Sequence, residues 1–92
     1  MNKGKRAIDQ TFPQSERRKL FYEKVDNQSM SLRETVVEFR LMLGKSQEEF
    51  ARFAKIPLST LRGIEQGRAN PTLKTLEKAL KGSGLVLSVK RK

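Results

Sequence analysis

The chain lacks the side chains on which most enzyme mechanisms depend. Its 92 residues include no histidine and no cysteine, which excludes disulfides, thiolate zinc sites, an imidazole base and a Ser-His-Asp triad. The two aspartates, Asp9 and Asp26, lie in the N-terminal third, and no pair of carboxylates has a recognisable catalytic setting. We therefore predict a protein that is not an enzyme and that needs no metal ion and no cofactor.

The chemistry that remains is electrostatic. Twenty Lys and Arg residues oppose ten Asp and Glu residues, a formal net charge of +10. Residues 1–30 carry seven basic and four acidic side chains, residues 31–81 carry ten and six, and residues 82–92 carry three and none. Nucleic acid, an anionic membrane and an acidic protein are all partners for such a chain.

Other features of the sequence argue against a membrane. No apolar run approaches the roughly 20 residues that cross a bilayer. The first ten residues are basic and polar and lack the apolar segment of a signal peptide. We predict a cytoplasmic protein with no membrane association.

Two capping boxes mark the start of a helical region. Residues 31–34 and 46–49 each place a serine three positions before a glutamate, so that each side chain satisfies a backbone amide in the first turn. Gly44 ends the first of these helices and Pro57 follows the second. A third helix is predicted from about residue 58 to residue 65, and Thr72 caps a fourth that ends at Gly82. The predicted inner positions are Leu32, Val36, Phe39, Leu43, Phe50, Ala51, Ala54, Leu73, Leu76 and Leu80.

The second and third of these helices are joined by three or four residues, which is helix-turn-helix spacing. Ala51 leaves room for a close crossing, Ile56 fills the turn, and Leu61 and Ile64 seat the third helix. The alternative is a helical bundle with no role in nucleic-acid binding.

This region resembles the Xre-type regulators, which are built on the fold of the lambda repressor and Cro. The resemblance implies an all-α bundle of four to five helices, whose third helix over residues 31–81 enters the major groove of double-stranded DNA. Two positions depart from the family pattern, since Lys55 replaces the glycine of the turn and Pro57 replaces the Ser or Thr cap of the third helix. The segments that carry the resemblance are residues 46–51, 59–61, 64–68 and 70–73.

The resemblance also implies which positions contact DNA. Arg62 is the candidate base reader because a guanidinium can bind guanine O6 and N7 together, and a phosphate contact is the alternative. Ser59 can bond a base or cap the helix, and Leu58 can pack on a thymine methyl or in the core. Gly63 is expected either to admit the DNA backbone or to relieve crowding. The expected phosphate contacts are Gln47, Gln66, Arg68 and Thr60.

The C-terminal residues 85–89 form an apolar run of β type that needs a hydrogen-bonding mate. Pairing with the same strand of a second copy would produce a homodimer and predicts a palindromic operator, whereas the alternative is a strand folded onto its own bundle. The strand residues are Leu85, Val86, Leu87 and Val89.

A single apolar strand after the last helix resembles HipB-like antitoxins, and the chain as a whole is similar to HigA-like antitoxins. This resemblance implies a bacterial repressor that regulates its own operon, binds a toxin and is associated with the nucleoid through DNA. A phage- or plasmid-type repressor without a toxin is one alternative. A toxin-neutralising module with incidental DNA binding is the other.

Residues 1–30 are predicted to form a basic, partly flexible arm, with a short helix over residues 15–24 capped by Ser15. A DNA contact, a segment that folds on a toxin and plain disorder are the three interpretations of this arm. Its apolar side chains favour a contact with a protein partner. They are Phe12, Leu20, Phe21 and Tyr22.

Overall fold

The computed structural model describes residues 13–28, 30–68 and 70–86, and these ranges contain five α-helices. Helix α2 packs against both α1 and α4, and α3 packs against α4 and α5. The predicted all-α bundle is confirmed. No strand occurs in the described ranges, and Leu87 and Val89 of the predicted strand lie outside them. The helices are α1 (Gln14–Asp26), α2 (Leu32–Leu43), α3 (Gln47–Ala54), α4 (Leu58–Glu65) and α5 (Leu73–Ala79).

Three helices begin as the sequence predicts, because their caps are local. Ser31 Oγ accepts the Glu34 amide at 3.1 Å while the Glu34 carboxylate accepts the Ser31 amide at 2.8 Å. Ser46 and Glu49 repeat the arrangement at 3.1 and 2.9 Å, and Thr72 caps α5. These backbone hydrogen bonds hold the pKa of Glu34 and of Glu49 below the ordinary value for a glutamate.

Helices α2 and α3 each end at a residue in the left-handed conformation. Gly44 ends α2 with φ 72°, as expected of glycine. Lys55 ends α3 with φ 60° and ψ 46°, so the turn keeps its left-handed geometry without a glycine. Pro57 then precedes α4 and makes no side-chain capping hydrogen bond.

Aromatic rings connect the first three helices in the core. Phe21 of α1 lies 5.7 Å from Phe39 of α2, and Phe39 lies 5.9 Å from Phe50 of α3, measured between ring centroids. All three side chains are buried. Leu61 brings α4 into the same cluster, so one continuous core joins α1 to the helix-turn-helix segment.

Helix α1 differs from the prediction in both bounds and role. It follows Pro13 directly, with no capping bond from Ser15, and it continues to Asp26. Phe21 is 0% exposed, so its predicted role as a partner contact is wrong: the ring belongs to the core. Leu20 and Tyr22 pack partly buried against that core, and Phe12 lies outside the described residues.

Two predicted inner positions are also wrong. Leu32 is 43% exposed and Leu73 is 61% exposed. Each is the first residue of its helix, at the end of the apolar stripe, where the described helices leave much of the side chain exposed. In the last turns of α2, Leu41 and Met42 are buried instead, because α2 is covered from two sides. Helix α5 ends at Ala79 rather than at Gly82.

The segment after α5 is tied to α1. Ser83 is buried; its hydroxyl donates to the Leu80 carbonyl at 2.6 Å and accepts the Leu85 amide at 3.1 Å. The Tyr22 hydroxyl donates to the Ser83 carbonyl. Leu85 packs partly against the core, whereas Val86 is 87% exposed. The described end of the chain therefore lies beside α1.

Candidate nucleic-acid interface

Helices α3 and α4 pack together through the residues that the sequence predicts. Ala51, Leu61 and Ile64 are all buried, and Ile56 fills the turn between the helices. The Ile56 amide donates to the Ala51 carbonyl at 3.0 Å. These contacts set the crossing of α3 and α4 and leave the opposite face of α4 free for polar side chains.

The negative charge of Glu65, the last residue of α4, is neutralised within the protein. Its carboxylate receives two hydrogen bonds from the Arg40 guanidinium, from Nε at 2.7 Å and from Nη2 at 3.0 Å. The two side chains are 7% and 13% exposed, and such bidentate pairs are strong and directional. DNA would repel a free carboxylate, and the ion pair with Arg40 gives Glu65 a structural role instead.

Gln47 joins this ion pair to the predicted base reader. Its Nε2 donates to Glu65 Oε1 at 2.9 Å, and its Oε1 accepts from Arg62 Nε at 3.4 Å. The chemistry of the neighbours sets the amide orientation, since a carboxylate only accepts and a guanidinium only donates. We call Arg40, Glu65, Gln47 and Arg62 the polar chain. The Gln47 side chain, predicted to contact phosphate, is thus bonded within the protein.

The predicted DNA contacts on α4, which are the base readers and the phosphate contact Thr60, differ in exposure. Ser59 and Arg62 are exposed on α4, whereas Leu58 and Thr60 are partly covered. Leu58 packs against the core. Gly63 is buried, which removes it from the base-reading positions. The alternative role, relief of crowding between helices, fits this placement.

The turn after α4 carries two of the predicted phosphate contacts. Gln66 and Arg68 are both exposed there, on either side of Gly67, whose φ of 74° suits glycine. Arg33 of α2 donates from Nη1 to the Glu65 carbonyl at 3.0 Å and so holds the end of α4.

Sequence reasoning missed Arg33 and Arg40. Both lie on α2, far along the chain from the residues that they hold. The available signal was Glu65 itself, because a carboxylate in a buried helix turn requires a cation, but the sequence does not indicate which of several arginines supplies it.

The electrostatics of this face favour an anion. Glu65 is the only acidic residue of α4, and Arg40 cancels its charge. Arg62 and Arg68 then add exposed positive charge along α4 and the turn that follows. The face offers guanidinium, hydroxyl and amide groups, which are the groups that bind phosphates and base edges.

Comparison with known families agrees with this geometry. Residues 36–82, slightly more than half of the chain, match the helix-turn-helix family HTH_3. The chain therefore belongs to this family of Xre-type DNA-binding transcription regulators, which is regulatory rather than catalytic. Helix α1 lies before the matched residues. Searches of the curated proteins and of the solved structures return no match. No helix in the described ranges is long and apolar enough to span a bilayer.

Proposed function

We propose that this protein is a homodimeric, sequence-specific repressor that binds a palindromic operator in double-stranded DNA. The observation that carries the proposal is the two-sided character of α4. One side buries Leu61 and Ile64, and the other exposes Ser59 and Arg62. With Glu65 neutralised by an internal cation, the exposed side suits the major groove of a polyanion.

Within this proposal the side chains divide into two groups. Arg62 reads a guanine, Ser59 bonds a neighbouring base, and the exposed part of Leu58 contacts a thymine methyl. The phosphate contacts are Gln47, Gln66, Arg68 and Thr60. For Gln47 the backbone amide at the start of α3 is the better donor, because its side chain already bonds Glu65 and Arg62.

Dimer formation through residues 85–89 is the second part of the proposal. The alternating apolar pattern and the 87% exposure of Val86 support an unpaired strand that meets a second copy. An isologous pair would place two α4 helices about one DNA turn apart. Truncation after Gly84 should then yield monomers in sedimentation velocity with reduced operator affinity, and a truncated chain that remains dimeric contradicts this assignment.

The biological role that we propose is that of a cytoplasmic antitoxin, which represses its own operon and binds a toxin. The resemblance to HipB-like and HigA-like antitoxins supports this role. A phage- or plasmid-type repressor without a toxin, and a toxin-neutralising module with incidental DNA binding, are the alternatives. Co-purification of the neighbouring gene product with the untagged chain separates the first alternative from the others: a stoichiometric partner supports the antitoxin or the toxin-neutralising module, and its absence favours the repressor alone. Specific binding of the chain to the promoter of its own operon then supports the antitoxin over the module.

The direct test of DNA binding is a titration of affinity against salt, on a duplex selected by the protein from random sequence. About six to eight phosphate contacts per dimer predict a slope of log K against log salt near −5 to −7. A slope near zero overturns the proposal.

Replacing Arg62 by alanine tests the mode of recognition. We expect a loss of about 1–3 kcal/mol on the selected duplex and little change on an arbitrary duplex. Lys19→Ala, on the exposed surface of α1, is the matched control for the loss of one positive charge. Equal losses on both duplexes would make Arg62 a phosphate contact rather than a base reader.

A further inference from the structure

Lys55 occupies a backbone conformation that glycine would adopt at lower cost. Its φ of 60° and ψ of 46° are left-handed, a region that L side chains disfavour and glycine enters freely. Gln28 is the other non-glycine residue with positive φ in the described ranges. Gln28 differs from Lys55 because it takes part in an additional interaction within the protein.

The Lys55 side chain has no polar partner among the described residues. The residue is exposed, and its ammonium makes no hydrogen bond, ion pair or ring contact with the described residues, unlike Lys45, which lies 5.1 Å from the centre of the Phe53 ring. Its neighbours Ala54 and Ile56 are both buried. The backbone is therefore held in place on both sides while a long cationic side chain extends into solvent at a conformational cost.

The position of Lys55 relates this side chain to the DNA-facing surface. Two residues separate it from Leu58, the first residue of α4, so the two Cα atoms are three positions apart and lie within roughly 11 Å of each other. Phosphates line both edges of a major groove that is about 12 Å wide. A lysine is a compact charge on a flexible stem and needs no fixed angle of approach to a phosphate.

We propose that Lys55 is a DNA-phosphate contact, carried by the turn between α3 and α4, and that the left-handed strain is retained in exchange for that contact. The inference rests on the proposed DNA-binding function and adds to it a residue that the family pattern would leave as glycine. The competing explanation is that the turn merely tolerates a lysine.

A set of three variants separates charge from strain. Lys55→Gly removes both, Lys55→Arg keeps both, and Lys55→Asn removes the charge while tolerating the left-handed conformation. Lys19→Ala on α1 controls for the loss of one positive charge elsewhere. Each purified full-length variant is measured for its thermal midpoint and for its affinity to an arbitrary duplex over a range of salt.

The two readouts should move in opposite directions for Lys55→Gly. We expect the thermal midpoint to rise by about 3–6 °C while affinity falls about eightfold per protomer at about 0.1 M salt and the log–log slope becomes shallower by about 1 per protomer. Lys55→Asn should lose affinity to the same extent, and Lys55→Arg should bind as the wild type does.

Two results overturn the inference and are distinguishable. If the wild type binds with a steep salt slope and the slope of Lys55→Gly matches that of Lys19→Ala, Lys55 is not a phosphate contact although DNA binding stands. If the wild type shows no salt-dependent binding, the proposed function and the role of Lys55 fail together.

Discussion

The helix-turn-helix pair and the α1 region are held together by a different balance of burial and directional polar bonds. In the first, the polar chain orients side chains by directional bonds. The Arg40 guanidinium donates two hydrogen bonds to the Glu65 carboxylate, at 2.7 and 3.0 Å. In the second, the fully buried Phe21 and its contact with Phe39 hold α1 chiefly by burial, which has no preferred direction. Two polar contacts to α2 add to it: Arg17 donates to the Met42 carbonyl at 3.1 Å, and Lys24 lies 3.9 Å from the Glu38 carboxylate. Directional bonds suit a surface whose side chains must be oriented before binding, and burial suits a support.

The comparison also shows that the folded unit is larger than the family segment. The matched residues begin at position 36, yet α1 contributes the fully buried ring of Phe21 to the core, and its Tyr22 hydroxyl donates to the Ser83 carbonyl near the other end of the described chain. Helix α1 thus closes the bundle on the side that the family segment leaves open.

Phe21→Ala should lower the free energy of unfolding by about 3–5 kcal/mol, because it removes a buried ring and leaves a cavity between α1 and α2. Urea denaturation followed by circular dichroism measures this loss. Phe53→Ala on α3 is the matched control: its ring is 47% exposed, and we expect a loss of about 1 kcal/mol. Similar losses for the two variants would contradict the assignment of α1 to the core.

Glu65→Ala should lower the free energy of unfolding by about 3 kcal/mol, because Arg40 would remain largely buried without its anion. Glu77→Ala on the exposed surface of α5 is the control and should change stability by less than about 0.5 kcal/mol. Among folded molecules, the Glu65 variant should also bind the selected DNA less tightly, since Gln47 loses its anchor beside Arg62. A stable variant with unaltered affinity would remove the polar chain from the mechanism.

Tyr22→Phe should cost about 1 kcal/mol, the usual net value of one hydrogen bond. The Leu85 amide should exchange with solvent faster in hydrogen-exchange measurements by NMR, because the bond to the Ser83 carbonyl holds this segment on α1. Amides of α3 and α4 should keep their protection. Faster exchange throughout the bundle would mean that the two regions open as one.

Acid should weaken the caps of α2 and α3, and this is the smallest effect. Backbone amides lower the folded-state pKa of Glu34 and Glu49, so their contribution is complete above the unfolded pKa of about 4.3 and is lost as pH falls through the lower folded values. The thermal midpoint of a Glu34→Gln, Glu49→Gln double variant should therefore depend less on pH between about 5 and 3 than that of the wild type. If the double variant had the same pH dependence as the wild type, these two carboxylates would not contribute to the loss of stability in acid.

The features that the sequence predicts well are those made within three or four residues. The Ser31 and Ser46 capping boxes, the left-handed glycine after α2 and the inner positions of α3 all follow from local geometry, and the structure confirms them. The helix-turn-helix spacing follows for the same reason, because a short link leaves the two helices few ways to cross.

The errors concern contacts between distant residues. The sequence leaves Phe21 free to meet a partner or the core, and only the packing of α1 on α2 decides for the core. Tertiary packing also decides whether Gly63 is exposed or buried, because its exposure depends on which other parts of the protein pack against α4. No local pattern distinguishes these outcomes, since apolar side chains gain equally from any apolar neighbour.

By itself, the sequence determines where α2, α3 and α5 begin, how closely α3 and α4 are linked, and that the chain is basic. Tertiary structure alone decides that Arg40 neutralises Glu65 across 25 positions and that Tyr22 meets Ser83 across 61. The physical reason is range: a cap is completed within one helical turn, whereas a buried ion pair or ring needs a partner that only the folded chain brings close.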